Sequence, residues 1–118
     1  MTTRNDIFNY LKKQYNSSPE FLWRKYPNYA VFKHDSGKWF AAVMNVTPKF
    51  LNLSEEKDVD IIDLKIDPEL GSILKQKDGY YPGYHMNKEN WIAILLNADT
   101  DFDELKKLIN DSYLATDK

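Results

Sequence analysis

Chemistry in this chain must come from histidines, carboxylates and cations, because there is no cysteine. That absence excludes disulfides, thiolate zinc sites, iron–sulfur clusters and a cysteine nucleophile. The two histidines are His34 and His85. A metal site needs several convergent ligands, and no local spacing gathers carboxylates around either ring, so neither a metal nor a cofactor is expected. His85 lies in Tyr84-His85-Met86-Asn87-Lys88. A neutral imidazole there would bind a ligand or relay a proton; the plainer reading is a ring satisfied by a backbone carbonyl at a strand end. Asp99, Asp101, Asp103 and Glu104 lack the glycine and loop frame of a calcium site and read as a helix start. Gly79 and Gly83 flank Tyr80-Tyr81-Pro82 and read as backbone relief beside bulky rings. No phosphate loop, dinucleotide fingerprint, Gly-x-Ser-x-Gly or His-Glu-x-x-His occurs. The expectation is a protein that is not an enzyme.

Basic residues interleaved with aromatic ones are the pattern that points to a partner. They occur in Trp23-Arg24-Lys25-Tyr26 and in Lys33-His34-Asp35-Ser36-Gly37-Lys38-Trp39. A hairpin tip carrying Lys33 and Lys38 would enter a DNA groove or ride on phosphates. The alternative is that the rings pack inward while the cations snorkel.

These residues sit in 118 residues of net charge −2, with 42% hydrophobic and 29% charged side chains. That composition suits one folded domain, 1–118, and excludes disorder. Residues 1–53 carry eight basic and three acidic side chains, net +5, whereas 54–118 carry eight basic and fifteen acidic, net −7. Such asymmetry marks either a polyanion-binding face or two halves that interleave and mix their charges. No apolar run is long enough to span a membrane, and the first residues lack an apolar leader core, so the expected compartment is the cytoplasm.

The elements that must position these groups follow from periodicity. Ile7, Phe8, Leu11 and Tyr15 share one face of a helix over 3–15, with Thr3 as cap and Asp6 in its first turn. A strand over 29–34, a loop at Asp35-Ser36-Gly37 and a strand over 38–46 make a hairpin. The second strand is apolar on both sides, as a central strand with a partly covered second face would be. A third strand spans 59–66, with Asp63 and Lys65 toward the polar end of one face. Asp67-Pro68 starts a second helix that stops before Gly79. Tyr80 to Met86 is extended and confined to an edge by Pro82. Asn87 to Asn90 turns, Trp91 to Leu96 is a buried strand, and a last helix opens at Asp99-Thr100-Asp101 and frays after Leu114. The fold class is α+β: a two-layer sandwich in α-β(3)-α-β(2)-α order, with helices on one face of a mainly antiparallel sheet.

The Trp23 to Pro27 segment, the Lys38-Trp39-Phe40 strand entrance and the Val59 to Lys65 strand together resemble the MmcQ/YjbR family of small bacterial proteins. So do Tyr84-His85-Met86-Asn87-Lys88 followed by Trp91, and Ser112-Tyr113 near the end. The likeness runs from about Thr3 to Leu114. It implies a CyaY-like two-layer fold, no cofactor and a DNA-binding role. On that implication Arg24, Lys25, Lys33, Lys38 and Lys88 are phosphate contacts, and Trp39, Tyr84, His85 and Asn87 line the remaining surface. The His85 to Lys88 motif would shape the turn between the last two strands, where Asn87 can take a left-handed conformation and His85 can bond backbone. Two rivals stand beside this. One is a protein-interaction module or homodimer that uses an apolar sheet face at Trp39 to Met44 and Tyr80-Tyr81-Tyr84. The other is a small-ligand binder or enzyme centred on His85.

Overall fold

The computed structural model describes every residue except Met1, Asn52, Glu55, His85 and Lys118; the side chain of Phe50 is also not described. The described chain runs α1 (Arg4–Tyr15), β1 (Ala30–Lys33), β2 (Trp39–Val46), a short 3-10 turn (Pro48–Leu51), β3 (Val59–Lys65), α2 (Pro68–Leu74), β4 (Tyr80–Pro82), β5 (Trp91–Leu96) and α3 (Phe102–Thr116). The α+β class and the element order match the expectation from sequence. The five strands form one sheet in the order β1-β2-β3-β5-β4, and every neighbouring pair is antiparallel.

Local chemistry explains the helix starts. The Thr3 hydroxyl accepts from the Asp6 amide and the Asp6 carboxylate accepts from the Thr3 amide, a reciprocal capping box. Asp67 caps α2 with Pro68 in the first turn. Asp101 accepts from the amides of Asp103 and Glu104. Its carboxylate is therefore spent on the helix start, as the helix-start reading of this acidic cluster required.

All three helices pack on one face of the sheet. Ile7 and Leu11 of α1, Leu74 of α2, and Leu105, Leu108 and Ile109 of α3 close over Phe32, Val43, Ile62, Leu64, Ile92 and Ile94. The opposite face carries a second apolar cluster with no α-helix in it among the described residues. There Ala42, Met44, Ile61, Ala93 and Leu95 lie beneath Tyr29 and Leu51, with Trp23, Leu53, Tyr81, Tyr84 and Met86 packed against them. Irregular segments and the 3-10 turn that carries Leu51, not α-helices, cover this face. Strand β2 is accordingly buried on both sides along most of its length, and Ala42 and Met44 are not available as a bare sheet surface.

Four details depart from the sequence reading. The extended stretch after Gly79 pairs only over Tyr80–Pro82, because Pro82 has no amide to continue the ladder. Asn87 does not take positive φ; among the described non-glycine residues only Asn16 does. Its side-chain carbonyl instead accepts from the amides of Glu89 and Asn90, which builds the turn without a left-handed residue. Helix α3 continues to Thr116, because the buried ring of His34 holds its last turn: His34 Nε2 lies 2.7 Å from Thr116 Oγ1. Finally, Asp63 is not at a polar strand end but is fully buried. No helix among the described residues is long and apolar enough to cross a membrane.

Candidate functional site

The helix-free face holds the site. Trp23, on the irregular segment before β1, meets Trp39 at the start of β2, with ring centroids 5.7 Å apart and planes at 88°. Trp23 also meets Tyr29 edge-on at 6.0 Å, and Tyr29 stacks on Tyr26 at 4.7 Å. Edge-to-face and offset contacts are the favoured aromatic geometries. They set Trp23 roughly at right angles to both Trp39 and Tyr29, with Tyr26 lying parallel to Tyr29. The walls enclose a cleft of about 310 Å³ with Ala42, Met44 and Met86 completing its lining. That volume is near the lower end for a small-molecule site, enough for one ring system. The lining is largely apolar. The hydroxyl of Tyr29 is hydrogen-bonded to Tyr84, and burial with that bond pushes its pKa well up, so it remains a neutral phenol.

Trp39 is also the wall of a second, shallower groove of about 440 Å³. Lys38, Lys65 and Trp91 line it, together with Gly37 at the hairpin and Ala115 and Thr116 at the end of α3. Lys65 Nζ lies 5.8 Å from the Trp91 ring centroid, within cation–π range. An apolar cleft and a cationic groove therefore adjoin across one indole.

Three local devices fix this arrangement. Ser112 of α3 is buried; its Oγ accepts from the Lys65 amide at 2.9 Å and donates to the Phe40 carbonyl at 2.6 Å. One helix hydroxyl thus joins the residue after Trp39 to the end of β3. Gly83 donates its amide to the Trp91 carbonyl, and a Cβ there would fall 2.7 Å from Trp91 Cβ, so only glycine allows this approach. Gly37 sits at φ +92 in the hairpin turn, where His34 and Lys38 close the backbone ladder. His34 itself is buried against Phe40 and Tyr113. It is a satisfied core histidine, and the hairpin is anchored to α3 rather than projecting as a free wing.

Asp63 lies under the centre of this face. Its cross-strand neighbours are Ala42 and Ala93, whose small side chains leave room for a carboxyl group. Oδ1 accepts from the Tyr84 amide at 3.1 Å. Oδ2 is buried with no hydrogen-bond partner among the described residues. Burial raises the pKa from its ordinary 3.8 to about 8, against the smaller opposing effects of the Tyr84 bond and the Lys88 charge. The carboxyl is therefore largely protonated at neutral pH. Sequence reasoning missed it. The available signal was an acidic residue between Ile62 and Leu64, where a strand disfavours it.

The expected phosphate contacts are distributed unevenly. Arg24 and Lys25 are exposed beside Trp23, and Lys38 is exposed beside Trp39. Lys33 on edge strand β1 is 3.4 Å from Glu20 and is spent on that ion pair. Lys88 Nζ donates to the Gly83 carbonyl at 3.2 Å and helps close the turn over Asp63. Lys65 joins the set, though the sequence did not single it out. Tyr84 is half-buried over Asp63, Asn87 makes its turn, and His85 lies outside the described residues. Asp58 adds a small further upward push to the Tyr29 pKa. No cluster of metal ligands occurs among the described residues.

The YjbR family model matches residues 12–115, and YyaQ of Bacillus subtilis (strain 168), an uncharacterised protein, is 43% identical over 98% of this chain and 99% of its own. The chain belongs to the YjbR family. A second uncharacterised relative, YbdF of Escherichia coli O157:H7, is 36% identical over 80% of this chain and 69% of its own. A crystal structure of a Pseudomonas syringae protein from the Northeast Structural Genomics Consortium superposes with a TM-score of 0.93 at 43% identity, covering 97% of this chain and 98% of that one. A Deinococcus radiodurans protein superposes with a TM-score of 0.76 at 26% identity, covering all of this chain and 80% of that one. The family fold is thus the fold described above, and this YjbR chain carries its three tryptophans on the edges of the two adjoining depressions.

Proposed function

We propose that this YjbR protein is a non-catalytic, cytoplasmic nucleic-acid-binding domain that uses the helix-free face. One observation carries the reading: Arg24, Lys25 and Lys38 adjoin in sequence the two tryptophans that meet there, and Lys65 lies in the groove that Trp39 walls. Cations set around aromatic surfaces are what a phosphate backbone with exposed bases requires. Arg24 and Lys25 have no ion-pair or hydrogen-bond partner among the described residues. Lys33 and Lys88 take a lesser part, since each is engaged within the protein. The test is a heteronuclear NMR titration with DNA at low and near-physiological salt. Shifts at Arg24, Lys25, Lys38 and Lys65 that fade as salt rises support the reading. A spectrum unmoved at low salt removes it.

A second reading rests on Phe21, Leu22 and Tyr26, which are exposed on the same segment as Trp23. Three large apolar side chains in six residues would serve a protein partner or a second copy of this chain. Sedimentation over a concentration range tests the second copy: a monomer at every concentration excludes a homodimer.

A further inference from the structure

We propose that the occupant of the helix-free face is an unpaired nucleotide within a single strand, with its base in the aromatic cleft and its phosphate in the neighbouring groove. The inference rests on the nucleic-acid reading above and says which form of nucleic acid the site takes. The two depressions have complementary characters and share one wall. The cleft between Trp23, Tyr29 and Trp39 is apolar and holds about 310 Å³. The groove on the other side of Trp39 carries Lys38 and Lys65. A ligand that fits both has a flat apolar part joined over a short distance to an anion, which is the chemistry of a nucleotide.

Shape decides between a strand and a duplex. A duplex keeps its bases stacked inside and offers phosphates and groove edges, which an element reads by protruding into a groove. The β1–β2 hairpin is pinned to α3 through His34 and Thr116, and the tryptophans line recesses rather than a ridge. Recessed aromatic walls with cations beside them suit bases that are already splayed out, as in loops and single strands. The charge around the mouth argues against a cationic guest for the same aromatic box. Arg24 and Lys25 follow the wall residue Trp23 in the chain, and Lys38 and Lys65 line the groove on Trp39, whereas among the described residues no acidic side chain lines either depression.

The test uses the full chain and its intrinsic tryptophan fluorescence. The probes are a short mixed-sequence single-stranded oligodeoxynucleotide, the blunt duplex of the same sequence, and deoxythymidine monophosphate. The strand is expected to bind about tenfold or more tighter than the duplex, with stacking as the difference. Trp39→Ala should weaken strand binding about tenfold and leave duplex binding unchanged, whereas Trp39→Phe should restore most of the loss. Because Trp39→Ala also touches the Trp23 packing, Lys65→Gln is measured beside it, and should weaken the strand while lowering the salt slope by about one. Duplex bound as tightly as strand, with both Trp39 variants neutral, overturns the inference and leaves the nucleic-acid reading standing. The monophosphate bound as tightly as the strand also overturns it, because a free nucleotide would then be the occupant. No binding of any probe at low salt overturns both.

Discussion

Replacing Asp63 with asparagine should stabilise the protein in a pH-dependent way. The native carboxyl holds its proton up to about pH 8 because burial disfavours the ion, whereas in the unfolded chain it ionises near 3.8. Between those values the native state binds a proton that the unfolded state does not, so stability falls as pH rises. The slope is about 1.4 kcal/mol per pH unit, which makes a loss of about 4 kcal/mol between pH 5 and pH 8. That is a large share of the 5–15 kcal/mol, roughly, that holds a domain together. Asp63→Asn keeps an oxygen for the Tyr84 amide and cannot ionise. Urea unfolding followed by tryptophan fluorescence at about pH 5, 6.5 and 8 measures both proteins. The expected result is similar stability at the acid end and a variant more stable by about 4 kcal/mol at the alkaline end. Parallel pH profiles for the two proteins would show that the carboxyl is solvated or already paired, and would refute the reasoning.

Two further substitutions test the devices that hold the site. Ser112→Ala removes the hydroxyl between Phe40 and Lys65 and leaves a buried carbonyl and amide without their partner, so urea unfolding should show a loss of about 2–4 kcal/mol; a loss below half a kcal/mol, roughly, would mean the two strands re-pair directly. Gly83→Ala places a methyl group 2.7 Å from Trp91 Cβ. The strand or the turn must shift, at a cost of about 1–3 kcal/mol in the same assay, with altered tryptophan emission; unchanged stability and emission would show that the turn yields freely.

The site was only partly legible in the sequence. Trp23, Arg24, Lys25, Lys38 and Trp39 announced themselves because cations interleaved with rings are unusual in a run of a few residues. Lys65 did not, because in its own strand it reads as an ordinary polar end, and only the pairing of β3 with β5 sets it against Trp91. Lys33 looked like a free phosphate contact, yet the bridge between Glu20 and Val31 brings an acid to it. Asn87 was rightly placed in a turn, but its conformation depended on which of two local solutions the flanking segments allowed.

Some of the fold needed nothing beyond local physics. Helical and strand periods, the caps at Thr3, Asp67 and Asp101, and the breakers at Gly37 and Pro82 act over a few residues, so order, type and approximate bounds of the elements follow from the chain alone. The apolar character of both sides of β2 likewise announced a covered second face. What covers it, and with what consequence, is a matter of residues far apart in sequence. The burial of Asp63 between Ala42 and Ala93, the insertion of the Ser112 hydroxyl between β2 and β3, and the meeting of Trp23 with Trp39 all depend on strand order and register. A chain segment encodes which way its own side chains alternate, but not which partner lies opposite. That is settled only when the whole sheet closes its two cores at once.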